Sequence, residues 1–148
     1  MIRPATAHDV APVQALIEAA YALYIPRIGA RPGPMLEDYA GLIAQGRVEV
    51  FEEQGQVLGV LVLIAQADGL LLDNVAVSPA AQGRGLGRQL MAHAEARARQ
   101  LGLEVVRLYT NEAMSENLGL YERLGYRETH RAEQAGFRRV FMEKRLGD

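Results

Sequence analysis

The sequence predicts an α+β fold: one mixed, mostly antiparallel sheet of about seven strands flanked by four helices, in three layers. Three observations predict it. Apolar residues alternate in some segments and recur at helical spacing in others, in the order β-α-α-β-β-β-α-β-α-β-β. One helix-patterned segment joins two apolar strands, which requires a right-handed crossover and hence a parallel pair. The chain has 148 residues with 49% hydrophobic content, the size of one domain with one core, spanning 1–148.

Met1 to Ala5 reads as the first strand. Thr6 or Asp9 caps a helix from about His8 to Leu23, on which Val10, Val13, Leu16, Ile17 and Ala20 recur at helical spacing. Tyr24 to Pro34 holds three prolines and two glycines and is expected to be a loop. Met35 to Gln45 reads as a second helix ended by Gly46. Val48 to Glu53 and Val57 to Ile64 form a hairpin around Gln54-Gly55-Gln56. Gln66-Ala67-Asp68-Gly69 then turns the chain into the strand Leu70–Val77. The third helix runs from Leu86 to Leu101, with Leu86, Leu90, Met91, Ala94, Ala98 and Leu101 on its apolar side and Gly102 at its end. Glu104 to Tyr109 is a strand, and Ser115 caps a helix to Leu124, ended by Gly125. Tyr126 to Ala132 and Arg138 to Leu146 pair around Ala135-Gly136 as the last two strands.

Absences narrow the chemistry. There is no cysteine, so thiolate nucleophiles, disulfides and Cys-metal sites are excluded. His8, His93 and His130 are far apart in sequence, and no metal is expected. The only serines, Ser78 and Ser115, lie outside any G-x-S-x-G motif. A net charge of −2 leaves no electrostatic footprint for nucleic acid. No apolar run approaches a membrane span, and Met1-Ile2-Arg3-Pro4 lacks the core of a signal peptide, so the expected location is cytoplasmic.

The segment richest in chemistry is Gln82-Gly83-Arg84-Gly85-Leu86-Gly87. A strand, a glycine-rich turn and a helix N-terminus in that order make an anion site, because free N–H groups and the helix dipole both favour negative charge. The dinucleotide fingerprint does not fit, since its last glycine would fall one residue later. The nucleotide triphosphatase loop needs a lysine after its glycines, and the only lysine is Lys144. The remaining pattern, Q-x-x-G-x-G, resembles the acetyl-CoA pyrophosphate loop of the GCN5-related N-acetyltransferase family. A second segment, Asn117-Leu118-Gly119-Leu120-Tyr121-Glu122-Arg123-Leu124-Gly125-Tyr126, resembles that family's N…LYEKLGF segment. The element order is also the family's, so the resemblance covers nearly the whole chain, although only these two motifs are specific.

The resemblance implies the acyl-CoA N-acyltransferase fold, in which Leu70–Val77 splays from Glu104–Tyr109. Acetyl-CoA would lie in that gap as cosubstrate, its pantetheine arm paired with the backbone of Val75, Ala76 and Val77 as an added strand would be. Its pyrophosphate would rest on Gln82, Gly83, Arg84, Gly85, Leu86, Gly87 and Arg88, the two arginines adding charge-assisted contacts. The acceptor amine would attack the thioester directly, with a backbone N–H near Val75 for the oxyanion. Tyr121, protonated at neutral pH, is the candidate donor to the departing thiolate. Asn117 shares its helix face and so counts with the cofactor-binding residues, while Leu120 and Leu124 form a separate core-facing stripe. Asp73 is the candidate base, directly or through water. It lies two residues before Val75 and hence on the same strand face by alternation, and a structural role such as binding a loop amide fits it equally. The family often has an asparagine seven residues before the tyrosine; here that position is Met114, with asparagines at 111 and 117.

In that family the acceptor site is built largely by the segment after the first helix, here Tyr21 to Pro34. Tyr24, Arg27, Arg31 and Asp73 are the substrate-binding candidates, the arginines suited to an anionic group on a small amine. The expected function is transfer of acetyl from acetyl-CoA to a primary amine of a small molecule. A peptide or protein N-acetyltransferase and a non-catalytic acyl-CoA-binding module remain alternatives, and a homodimer is left open.

Overall fold

The strands lie close to where the sequence puts them, with period-two hydrophobicity in most of them and the polar, exposed Arg127–Gln134 the exception. They are β1 (Ile2–Pro4), β2 (Val48–Glu53), β3 (Gln56–Gln66), β4 (Gly69–Val77), β5 (Val105–Asn111), β6 (Arg127–Gln134) and β7 (Phe137–Arg145). The computed structural model describes residues 1–147. The strands form one sheet in the order β1-β2-β3-β4-β5-β7-β6. Every neighbouring pair is antiparallel except β4 with β5, as the crossover requires.

Five α-helices accompany the sheet rather than four: α1 (Val10–Tyr21), α2 (Tyr24–Ile28), α3 (Tyr39–Ala44), α4 (Leu86–Gln100) and α5 (Ser115–Arg123). The addition is α2, inside the segment expected to be a loop. Pro26 does not forbid it, because it sits in the first turn, where its missing N–H would have no partner anyway. Gly29 ends α2 in the left-handed region (φ 79°), its N–H donating to the Ile25 carbonyl at 2.8 Å. The expected helix 35–45 is divided. A 3-10 turn covers Gly33–Leu36, Glu37 is extended, and α3 starts after Asp38, whose carboxylate accepts from the Gly41 N–H at 3.1 Å. Ser115 is the first residue of α5, not its cap; Met114 occupies the cap position.

The two faces of the sheet bury separate apolar clusters. Leu61, Leu70, Leu72, Val106, Leu108, Val140 and Met142 pack beneath α4 and α5. Val48, Val50, Val60, Val62 and Ala76 pack beneath α1 and α3. On α4, Leu86, Leu90, Met91, Ala94 and Ala98 are buried as expected, whereas Leu101 lies past the helix end and is exposed. On α5 it is Leu118 and Tyr121 that join the cluster, with Leu124 just past the helix end, and not Leu120. α4 lies so close to β3 that a Cβ on Gly59 would sit 3.0 Å from Leu90 Cδ1 and 3.2 Å from Phe51 Cβ.

β1 is tied in by charge. The Arg3 guanidinium donates to both oxygens of Asp9, at 2.8 and 3.0 Å, and to Glu52. The Thr6 N–H donates to Asp9 at 2.7 Å, so Asp9 works within the 3-10 turn at Ala7–Asp9 that precedes α1. With Asp9 buried, the Arg3 bond outweighs desolvation and holds its carboxyl down at about 2, from 3.8. This stabilisation is complete above the unfolded value near pH 4 and disappears as pH falls through about 2. Asp9→Asn is expected to cost on the order of 1–2 kcal/mol at pH 7. In urea denaturation it should also flatten the loss of stability between pH 4 and 2.

Candidate active site

The parallel ladder between β4 and β5 is short. It pairs Leu70 with Val106, Leu71 with Arg107 and Leu72 with Leu108, and then stops. Both strands continue, to Val77 and Asn111, paired to β3 and β7 but no longer to each other. The registers of β3 and β4 explain the parting. Val62 opposes Asn74 and the next residue, Leu63, opposes Leu72, so Asp73 is an extra residue, a β-bulge. A bulge bends its strand and re-aims side chains. Before it, Leu70 and Leu72 face α4; after it, Ala76 faces α1 and α3 while Val75 and Val77 turn toward α4. Simple alternation from Asp73 to Val75, expected from the sequence, therefore does not hold.

A cavity, partly open to solvent, begins where the ladder stops. Leu72 to Val75 line it from β4 and Leu108 to Asn111 from β5. Its location, at the carboxyl ends of the two parallel strands, is where open α/β sheets bind ligands. Tyr21, Met114, Asn117 and Tyr121 complete one wall, and Pro32, Gly33, Pro34, Glu37, Phe137 and Arg139 another.

A buried polar network fixes β4 beside the gap. Tyr21 donates its hydroxyl to Asn74 Oδ1 at 2.6 Å, and Asn74 Nδ2 donates to the Tyr39 hydroxyl at 3.1 Å. Tyr39 in turn donates to the Pro34 carbonyl, which ties the loop before α3 to the strand. Burial raises the pKa of both tyrosines, so both stay protonated. Asp73 accepts from the Tyr109 hydroxyl at 2.9 Å. Burial first, then the neighbouring Asp73 charge, pushes the Tyr109 phenol up to about 12.

The glycine loop follows β4 directly. Gly83 and Gly85 have φ of 84° and 78°, a region that other residues rarely adopt, and Gly85 is the N-cap of α4 with no side chain to cap it. Among the described residues, no group accepts from the N–H of any residue from 83 to 88. Six free amides at a helix start suit a pyrophosphate. Arg84 is engaged with Glu53 at 2.8 and 3.0 Å, while Arg88 is exposed and forms no ion pair among the described residues.

The other sequence-derived residues divide between wall and surface. Asp73, Val75, Asn117 and Tyr121 are all on the cavity wall; the side chains of Ala76 and Val77 are not. Tyr121 is buried, its pKa raised by that burial, and its hydroxyl has no hydrogen-bond partner among the described residues. Met114 is buried at the cap position, and its sulfur accepts from Thr110 and Asn117, each at 3.7 Å. Asn111 Oδ1 accepts from the Ala113 N–H at 2.9 Å. Tyr24, Arg27 and Arg31 are not among the residues lining this cavity. Tyr24 and Arg27 both hold Glu116 of α5, and Arg31 holds Glu18 of α1. Sequence reading passed over Glu37, Asn74, Tyr109 and Arg139. Of these only Asn74 carried a signal, a polar residue within an apolar strand.

Comparison with known proteins agrees with this geometry. Residues 44–128 match the family model described as the acetyltransferase (GNAT) domain. That stretch contains the glycine loop, the β4–β5 gap and α5. A search among curated proteins returns no match. Solved structures share the fold at low identity. The PaiA N-acetyltransferase of Thermoplasma acidophilum, in complex with coenzyme A, superposes with a TM-score of 0.82 at 16% identity, over 99% of this chain and 98% of that one. YncA of Salmonella typhimurium, with its cofactor acetyl-CoA, gives 0.74 at 22% over 100% and 94%. The ribosomal-protein-S18-alanine N-acetyltransferase of Escherichia coli gives 0.74 at 18%, again over 100% and 94%.

A Cβ on Gly85 would meet no atom within 4 Å, so only backbone strain, about 1–2 kcal/mol, opposes a substitution there. Gly85→Ala is therefore expected to weaken coenzyme A binding about tenfold in calorimetry, with the protein still folded.

Proposed function

The chain belongs to the GNAT acetyltransferase family, and we propose that within it this protein moves acetyl from acetyl-CoA to the primary amine of a small molecule. One observation carries the reading. The gap opened by the Asp73 bulge has Asp73 and Tyr121 on its walls and the free amides of the glycine loop beyond its β4 edge.

On this reading the unpaired edge of β4 at Val75–Val77 receives the pantetheine arm as an added strand. The amides of residues 83–88 receive the pyrophosphate, with Arg88 free to add charge. Holding both reactants in the gap supplies several kcal/mol by positioning alone. An amine that arrives protonated first gives a proton to a carboxylate on the wall, directly or through water. Its nitrogen then bonds to the thioester carbon, and the tetrahedral adduct collapses as the carbon–sulfur bond breaks. Tyr121 gives its proton to the departing thiolate. The nitrogen sheds its second proton, which restores Tyr121 through water. The balance is one acetamide, one free thiol and one proton returned to solvent.

Pro32–Pro34 together with Phe137 and Arg139 wall in the cavity, which suits a small acceptor. A peptide N-terminus is the second reading, favoured by the neighbour that acts on ribosomal-protein alanine. A panel of free amines and peptides, read by thiol release from acetyl-CoA, separates the two. With whichever acceptor is active, Tyr121→Phe should lower kcat by about tenfold or more and leave acetyl-CoA affinity within about twofold. An unchanged kcat removes Tyr121 from the mechanism.

A further inference from the structure

We propose that Glu37 binds the acceptor's ammonium group and takes its proton, with Asp73 as the partner anion. This rests on the acetyl-transfer reading and names the acceptor class: a primary amine that enters the cavity as a cation.

The argument is one of position and charge. Glu37 is held in extended backbone between the 3-10 turn at Gly33–Leu36 and the cap of α3, half-buried on the cavity wall. The tie from Tyr39 to Pro34 anchors that segment to Asn74, next to Asp73. Four groups face Glu37: Asp73 from β4, Tyr109 from β5, Arg139 from β7 and Tyr39 from α3. Asp73 is committed to the Tyr109 hydroxyl at 2.9 Å. No N–H or hydroxyl of the described residues donates to Glu37; the side chain within its hydrogen-bond reach is the Asp73 carboxyl, a like charge. The Arg139 guanidinium carbon lies 4.5 Å from the Tyr109 ring centroid, and Arg139 donates to Gln134 at 3.1 Å. It forms an ion pair with neither carboxylate within the described residues. The wall thus holds two carboxylates and one guanidinium turned to other partners, a net single negative charge that an ammonium completes.

The proton has a defined route. R–NH3⁺ gives one proton to the Glu37 carboxylate, and the freed lone pair forms the carbon–nitrogen bond. Glu37 then returns that proton to solvent at the cavity mouth. Desolvation, and the Asp73 charge beside it, raise the Glu37 pKa, which suits a carboxylate that must accept a proton rather than only hold an ion pair.

The test uses n-propylammonium as probe, titrated calorimetrically into the wild-type protein and Glu37→Gln, each saturated with coenzyme A. Glu37→Gln is expected to bind the probe about tenfold more weakly or worse. Its coenzyme A affinity should stay within about twofold, and Glu37→Asp should recover much of the loss. In acetyl transfer, kcat/KM of the wild type should fall at acid pH as Glu37 is protonated, and Glu37→Gln should lack that limb. Equal probe binding by both proteins, no binding by the wild type, or an acid limb unchanged in Glu37→Gln overturns the assignment. Probe binding that depends on Glu37, without thiol release from acetyl-CoA for any amine, supports Glu37 and refutes acetyl transfer instead.

Discussion

Two strands that run parallel for Leu70–Leu72 and then part determine what this molecule can hold. A backbone N–H or carbonyl left without a partner away from water costs on the order of 1–3 kcal/mol. Parting strands are therefore stable only if water, a side chain or a ligand meets the exposed edge. Here Tyr21 reaches the Val75 carbonyl at 3.3 Å, and the cavity leaves room for the rest. The bulge at Asp73 both bends β4 and reverses which residues face each layer. One inserted residue thus separates the strands, places a carboxylate on the cavity wall and turns Val75 toward α4.

The rest of the fold supports that opening. α4 closes the crossover and brings its free N-terminal amides to the end of β4, and its close approach at Gly59 fixes its height over the sheet. On the opposite face the chain Tyr21–Asn74–Tyr39–Pro34 links α1, β4, α3 and the proline segment through hydrogen bonds among buried groups. Such a network is costly when half satisfied and specific when complete. It carries the position of β4 over to the segment that bears Glu37. Burial keeps Tyr21, Tyr39 and Tyr121 in their neutral, proton-bearing forms.

Much of the fold was legible because periodicity and glycine placement report directly on backbone geometry. β2 matches its expected bounds, and α4 differs by one residue at its end. The Asp73 bulge was not legible, since a register slip arises between strands and leaves no mark in either one alone. Pro26 misled because proline breaks a helix only beyond its first turn. The glycine loop and Tyr121 were found through local motifs. Glu37, Tyr109 and Arg139 come from three separate segments, and only the assembled sheet brings them together. Arg27 and Arg31 were candidates because the family resemblance places the acceptor site in their segment and their charge suits an anion; folding gives each a carboxylate on a neighbouring helix, Glu116 and Glu18.

Amide hydrogen exchange, followed residue by residue with and without acetyl-CoA, tests most directly whether the parted strands are a donor site. Bound acetyl-CoA should slow exchange at residues 83–88 and along the open edge of β4 at Val75–Val77, and leave β6 unchanged. Saturation with acetyl-CoA that protects neither stretch would contradict the placement of the donor between β4 and β5.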